Sequence, residues 1–434
     1  MGFRAFDALA FTSLLFRLVP YTSARLNPAA ADNSVPRLRS VSAALRAQLR
    51  PLFFQPPRTR TFIASTSLLS DKTQLAEELQ KQTQSNGFNP MAQKANKVPA
   101  VPRPSSSVLL ISPNNQVLLL QRVKQSSSFP SAHVFPGGNV SEAHDGRVPP
   151  VDSPQRHVDS EVYRNAAIRE CFEESGILLA RNNGFGRLIE VPEAEREEGR
   201  KEIHANKTTF PTWLSQKGGR ADVDGLVPFT RWVTPTNVPK RFTTQMYLYF
   251  LPTLSSTSIA ESTTAENDEE ESKIPLPTTD GGLEHTTARF LPASVWLRLA
   301  QEGRIILFPP QFFLLHHVAQ HFDDLSSPTA YGSIPREPLP REELENRRRA
   351  LLEFVKTGEP PWTEKVISPI VMPARDGKKR DDNRSLLGLE KPGPELAGSG
   401  RSGVKDQFVL VGFKKEGPRH LEVVSRQEAL DAKL

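Results

Sequence analysis

The chain has 434 residues with one cysteine and 38 prolines, and a mean hydropathy of −0.42. That is enough length for one or two domains with much loop or tail. One cysteine excludes an internal disulfide framework and a cysteine-rich zinc site, and no apolar run approaches the ~20 residues of a membrane span. The formal charge of +6 belongs to the N-terminus: residues 1–70 hold nine arginines, no lysine and only Asp7 and Asp32, so the remainder carries 46 basic against 47 acidic side chains. The body of the chain therefore has no electrostatic case for binding nucleic acid.

Residues 1–70, rich in Arg and Ser and poor in acid, read as a mitochondrial transit peptide with a processing site near Arg60-Thr61-Phe62; a disordered basic tail is the alternative. Residues 71–104 are polar and proline-spotted, a linker. A folded domain is expected over 105–370. It opens with Ser106–Ile111 and Gln116–Leu120 around the turn Pro113-Asn114-Asn115, a hairpin of mostly buried strands. His133-Val134-Phe135 then leads into Pro136-Gly137-Gly138.

A helix is predicted from an N-cap at Asp159 or Ser160 to Gly176 as its C′ residue. Further strands are predicted at Gly186–Val191, Phe229–Thr234, Thr244–Leu251 and Thr286–Leu291. The Ser-, Thr- and Glu-rich stretch 254–273 reads as a solvated insert. Pro309-Pro310 opens another helix, and Pro340–Thr357 reads as a charged surface helix. Residues 371–405 read as flexible, and 406–434 as a last strand around Gln407–Gly412 with a tail. The terminal Ala432-Lys433-Leu434 resembles a peroxisomal address, so the receptors of mitochondrial or peroxisomal import are expected partners.

On the first helix, Glu170, Glu173 and Glu174 stand at i, i+3 and i+4 and share one side. Ile168, Cys171 and Phe172 fall opposite, facing a core, where Cys171 reads as a packed thiol. Like charges this close repel in a bare helix. The pattern makes most sense around a divalent cation, and Mg²⁺ or Mn²⁺ suits such hard ligands. A plain acidic surface helix is the alternative. His316-His317 diverge by roughly 100° on their helix, which favours packing over shared ligation.

Arg169-Glu170-Cys171-Phe172-Glu173-Glu174-Ser175-Gly176-Ile177 resembles the helical half of the Nudix box. In that family a Gly precedes a Glu by five residues, and seven more separate that Glu from Arg-Glu. Here Gly138 is followed by twenty-two residues, then Glu161, then seven, so a long insert is expected between Gly138 and Glu161. The resemblance implies an α+β fold, an α/β/α sandwich on a mixed central sheet. It implies hydrolysis of a substituted diphosphate, with Glu170, Glu173 and Glu174 on the metal and Arg169 orienting a glutamate. The Gly137-Gly138 backbone would come close to metal or phosphate, Glu161 would support the helix, and Glu284 could add a carboxylate.

Leu118, Leu119, Arg122 and Phe135-Pro136-Gly137-Gly138 partly match the signature of coenzyme A diphosphatases, with Ser127 and Ser131 where that signature has Arg and Gly. Ala132–Gly138, Thr234–Phe242 and Leu307-Phe308-Pro309-Pro310 are similar to segments of the subgroup called Nudix motif 19. That implies cleavage of coenzyme A (CoA) or acyl-CoA to 3′,5′-ADP and 4′-(acyl)phosphopantetheine. Lys240 and Arg241 would meet the 3′-phosphate, or simply end a loop as surface cations. Arg122 would approach the diphosphate, or cap its strand. A Nudix enzyme acting on NADH, ADP-ribose or a nucleotide sugar, and a non-catalytic Nudix-fold binding protein, remain as other readings.

Overall fold

The computed structural model describes residues 99–431 apart from 126–129, 183–186, 254–276, 279, 281–283, 326–338, 374–379 and 381. The transit-like segment 1–70, most of the linker, the insert 254–273 and the terminal tripeptide therefore lie outside the described residues.

Strand β1 (Arg103–Ile111) is the axis of the fold. Alternate side chains of a strand face opposite ways. Val108 and Leu110 enter one core, and Leu109 and Ile111 enter the other. A strand buried on both faces reads as an unbroken apolar run. β2 (Val117–Arg122) returns antiparallel, and β3 (His133–Val134) pairs with it. β4 (Gly137–Asn139) folds back onto the first half of β1, with Ser106 opposite Gly138.

Helix α1 (Glu142–Asp145) and the long helix α2 (Glu161–Ser175) follow. The small hairpin β5 (Ala180–Asn182) and β6 (Gly219–Ala221) brackets α3 (Glu193–His204) and α4 (Phe210–Gln216). β7 (Val227–Val233) and β8 (Phe242–Phe250) then add to the central sheet, β8 parallel to β1. β9 (His285–Leu291) lies antiparallel to β2. This mixed sheet carries the α2 side on one face and α5 (Ala293–Gln301) and α6 (Pro309–Phe322) on the other. It is the expected α/β/α sandwich.

The chain does not end there. α7 (Arg341–Val355) and the short strand β10 (Val366–Ile367), parallel to β7, complete the main unit. A second, antiparallel sheet follows, made of β11 (Ile370–Val371), β12 (Ser385–Leu389), β13 (Val404–Lys414) and β14 (Gly417–Ser425), with α8 (Arg426–Asp431) after it. Leu387, Leu389, Val409, Val411 and Leu421 enter the same core as Leu109 and Phe313. The expectation of a flexible 371–405 is corrected at Ser385–Leu389, a paired strand with a buried end, while 374–379 and 381 lie outside the described residues.

Two other expectations change. Residues 187–191 form no strand, only a bridge from Leu188 to Arg181. The helix at 341–355 is not wholly a surface element: buried Arg348 donates to Asn115 Oδ1 at 2.7 Å, Leu251 O at 2.8 Å and Ser112 O at 2.7 Å. It pins the β1–β2 turn, whose Asn115 takes a positive φ of 56°.

Candidate active site

Helix α2 runs from the expected N-cap to the expected C′ glycine, although the Ser160 hydroxyl makes no capping bond. Ser160 is the N-cap and accepts the first backbone bonds through its carbonyl, while Gly176 closes the end at φ 72° and donates to Phe172 O. The open carbonyls at that end are taken by arginines: Arg200 donates to Glu173 O at 2.7 and 2.9 Å, and Arg196 to Gly176 O at 2.9 Å. Satisfying these groups fixes the helix terminus. Its apolar side buries Ile168, Cys171 and Phe172, and Phe172 stacks on Trp213 of α4 with ring centroids 4.9 Å apart. Cys171 is the buried packing residue expected, and burial pushes its thiol up to about 12.

The three glutamates part company on the other side. Glu170 and Glu174 line a cleft, while Glu173 turns along the helix flank. Its Oε1 accepts from Arg169 Nη1 at 2.9 Å, and its Oε2 lies 3.7 Å from His204 Nδ1. Glu173 is therefore not brought to the cleft with the other two. Glu174 is buried and accepts from the Gly137 N–H at 2.8 Å. Burial, with some further push from Glu173, holds Glu170 at about 7 against the pull of Arg169. Burial and then the charge of Glu170 raise Glu174 well above the usual carboxylate range.

The glycines are explained by close approach. A Cβ at Gly138 would stand 2.6 Å from the Glu170 carboxylate, and one at Gly137 would stand 2.3 Å from Ser106 O on β1. Strand β4 thus lies close against both α2 and its partner strand β1.

Arg169 is buried and does orient glutamates, donating at 2.9 Å to both Glu170 and Glu173. Its main partner is one that sequence reasoning missed. Asp145 takes two bonds from the guanidinium at 2.8 Å, Nε to Oδ1 and Nη2 to Oδ2, and is itself buried. Arg169 also donates to Asn139 O at 2.9 Å. Glu161 is exposed at the first turn of α2. The supporting acid is therefore Asp145, not Glu161, and the extra residues lie after that acid rather than before it. The available signal was spacing: six residues separate Gly138 from Asp145, against five in the family pattern and twenty-two for Glu161.

The cleft has a volume of about 1630 Å³ and runs from the central sheet to the second sheet. Arg122 lines it, with Nη2 3.5 Å from Glu284 Oε2. Lys240 is on its rim and exposed. Arg241 is not there. It is buried, donating to Thr234 O and Ala100 O at 2.9 Å and paired with Glu395, so it ties backbone segments together instead of facing a phosphate. His317 packs among Phe313, Phe354 and Trp362, as expected of a core histidine.

Glu284 joins the site, and so does its neighbour His285, which sequence reasoning did not single out. Ligand atoms of Glu174, Glu284 and His285 all lie within 4.8 Å of one another. Hard carboxylate oxygens, a buried acid held by a backbone N–H and a glycine strand against the carboxylates fit a divalent cation.

Residues 101–254 match the family model described as NUDIX domain. Among curated proteins, "Acyl-coenzyme A diphosphatase NUDT19" of Xenopus laevis is 31% identical, with 28% of this chain and 42% of that protein covered. The protein of the same name from Gallus gallus is 29% identical, with 32% and 49% covered. The chain thus spans less than half the length of either relative. A solved NUDIX hydrolase from Alicyclobacillus acidocaldarius is 22% identical and covers 50% of this chain and 91% of its own, with a TM-score of 0.38. The match over 101–254 takes in β1, the glycine strand and all of α2, so this part of the chain carries a NUDIX domain, and the chain resembles the acyl-coenzyme A diphosphatases named above.

Proposed function

We propose that this protein hydrolyses the diphosphate of CoA or its acyl esters to 3′,5′-ADP and 4′-(acyl)phosphopantetheine, using Mg²⁺ or Mn²⁺. The observation that carries the reading is the two-sided character of the cleft. Glu170, Glu174 and Glu284 stand at one end, and the second sheet supplies an apolar wall of Ile370, Val371, Leu387 and Phe413. Val371 and Phe413 are each 58% exposed, unusual for side chains of that kind. A substrate with a charged diphosphate and an apolar arm satisfies both ends. The cleft also exceeds the usual ~300–1,000 Å³ of ligand pockets, which suits a long molecule. The names of the two diphosphatases reported above point the same way.

A divalent cation held at the carboxylates supplies charge neutralisation and a lowered pKa for water. The chain's own groups do the rest. Arg169, fixed by Asp145, holds the Glu170 carboxylate in place. Glu170 is the group set to accept a proton from the attacking water. Arg122 faces the diphosphate, and Lys240 takes the 3′-phosphate in place of Arg241. The two terminal addresses put the protein in mitochondria, peroxisomes or both, with the corresponding import receptors as partners. Imaging of end-tagged protein with and without Leu434 checks that assignment.

The test is incubation of the full chain with CoA, an acyl-CoA, NADH, ADP-ribose and a nucleotide sugar, with Mg²⁺ or Mn²⁺, and product identification by mass. Release of 3′,5′-ADP is expected. AMP from NADH or ADP-ribose with CoA untouched would replace the substrate assignment, and no turnover of any of them would count against the hydrolase reading.

A further inference from the structure

His285 is fully buried at the start of β9, and neither ring nitrogen has a hydrogen-bond partner among the described residues. An imidazole buried without such a partner costs free energy, so its surroundings ask for an explanation. They are ordered. Nδ1 lies 3.5 Å from Asp280 Oδ2, and Nε2 lies 3.6 Å from Glu174 Oε1. Asp280 is itself anchored, accepting the backbone N–H of Glu284 at 2.7 Å and that of His285 at 3.1 Å.

With the Nδ1 proton turned to Asp280, the Nε2 lone pair faces a carboxylate oxygen. The two atoms stand too far apart for a hydrogen bond, which leaves Nε2 buried and without a hydrogen-bond partner among the described residues. A cation between them would bind both. The arrangement carboxylate, imidazole, metal is also the common way in which a ligating histidine is held, its other nitrogen directed at an acid. Glu284, adjacent in sequence, offers a third ligand atom within the same 4.8 Å cluster.

The geometry points to His285 Nε2 as a nitrogen ligand of the divalent cation, making this a mixed nitrogen–oxygen centre completed by Glu174 and Glu284. The inference rests on the metal-dependent reading above and specifies its ion. An imidazole nitrogen favours first-row transition ions, of which Mn²⁺ is the most weakly bound, over Mg²⁺, which takes oxygen ligands. The site therefore discriminates against Mg²⁺, through a residue outside the 101–254 match.

Mn²⁺ alone is the probe, on the full-length protein. Electron spin-echo envelope modulation of bound Mn²⁺ is expected to show a directly coordinated imidazole nitrogen, lost in His285→Gln. In titrations His285→Gln is expected to weaken Mn²⁺ binding by about 10-fold or more, and Mg²⁺ binding by less. Mn²⁺ that binds wild type, is lost in Glu174→Gln, and shows no nitrogen coupling would overturn the inference while leaving the hydrolase reading intact. Failure of wild type to bind Mn²⁺ at all would overturn both. Should His285→Gln not fold, the wild-type spectrum still decides.

Discussion

Asp145 and Arg169 are both buried and meet through two 2.8 Å bonds, so each charge depends on the other. Removing one member of a buried pair leaves an uncompensated charge and is strongly destabilising. Asp145→Asn is expected to lower stability by on the order of 3 kcal/mol, whereas Glu161→Gln, at an exposed site, should stay within about 0.5 kcal/mol by denaturant titration. Equal effects would restore Glu161 to the supporting role. A second residue-scale consequence concerns pH. In the metal-free protein Glu170 is raised to about 7 and Glu174 is raised as well. A folded state that keeps protons the unfolded chain has lost is stabilised below the unfolded carboxylate pKa, and that contribution disappears as pH rises through the folded one. Stability in chelator should therefore fall between about pH 4.5 and 7 through these groups. Added Mn²⁺, which displaces the protons, should raise Tm more at about pH 8 than at about pH 5. The glutamate triad was legible in the sequence because helical periodicity fixes side. The divergence of Glu173 was not, because it depends on where Arg169 is held, and that is decided by an acid 24 residues upstream.

Strand β4 is two glycines and an asparagine close against both β1 and α2, and the glycines serve different neighbours. A Gly138→Ala methyl would meet only the end of a flexible side chain, Glu170, and should displace it. The expected result is a loss of about 10- to 100-fold in kcat with nearly unchanged stability. Gly137→Ala would instead drive into the Ser106 backbone, and should cost about 2 kcal/mol or more of stability. Paired thermal melts and kinetics distinguish the two. The main strands and helices were predictable because their apolar runs and caps are local: β1, α2 and α6 form where their sequence places them. The strand expected at Gly186–Val191 does not form over its described residues 187–191, which find one bridge partner, Arg181, rather than a sheet edge. Ser385–Leu389 was hidden by its Gly- and charge-rich flanks. Its strand exists because Val409 and Leu410 lie opposite it, a long-range pairing that composition does not report.

On the scale of the molecule, the second sheet is part of the fold and of the cleft. Val409, Val411 and Leu421 close the core over α6, and Phe413 and Val371 face the cleft. A chain ended at Ser368 should consequently lose its fixed packing, seen as loss of near-ultraviolet circular dichroism, even though the Nudix match ends far earlier. The fold class could be read from the α2 segment and the β1–β2 hairpin. The apolar wall could not, since it assembles from residues some forty positions apart in a stretch that reads as loop. The central claim joins both parts: a metal-dependent diphosphatase whose ion depends on Glu174 and whose substrate spans the cleft. Its most direct test is 3′,5′-ADP release from an acyl-CoA, followed while Mn²⁺ is titrated into wild type and into folded Glu174→Gln. Metal-dependent release by wild type, reduced at least about 100-fold in the variant, is the predicted result. Undiminished release by Glu174→Gln, or release indifferent to chelator, would contradict the account.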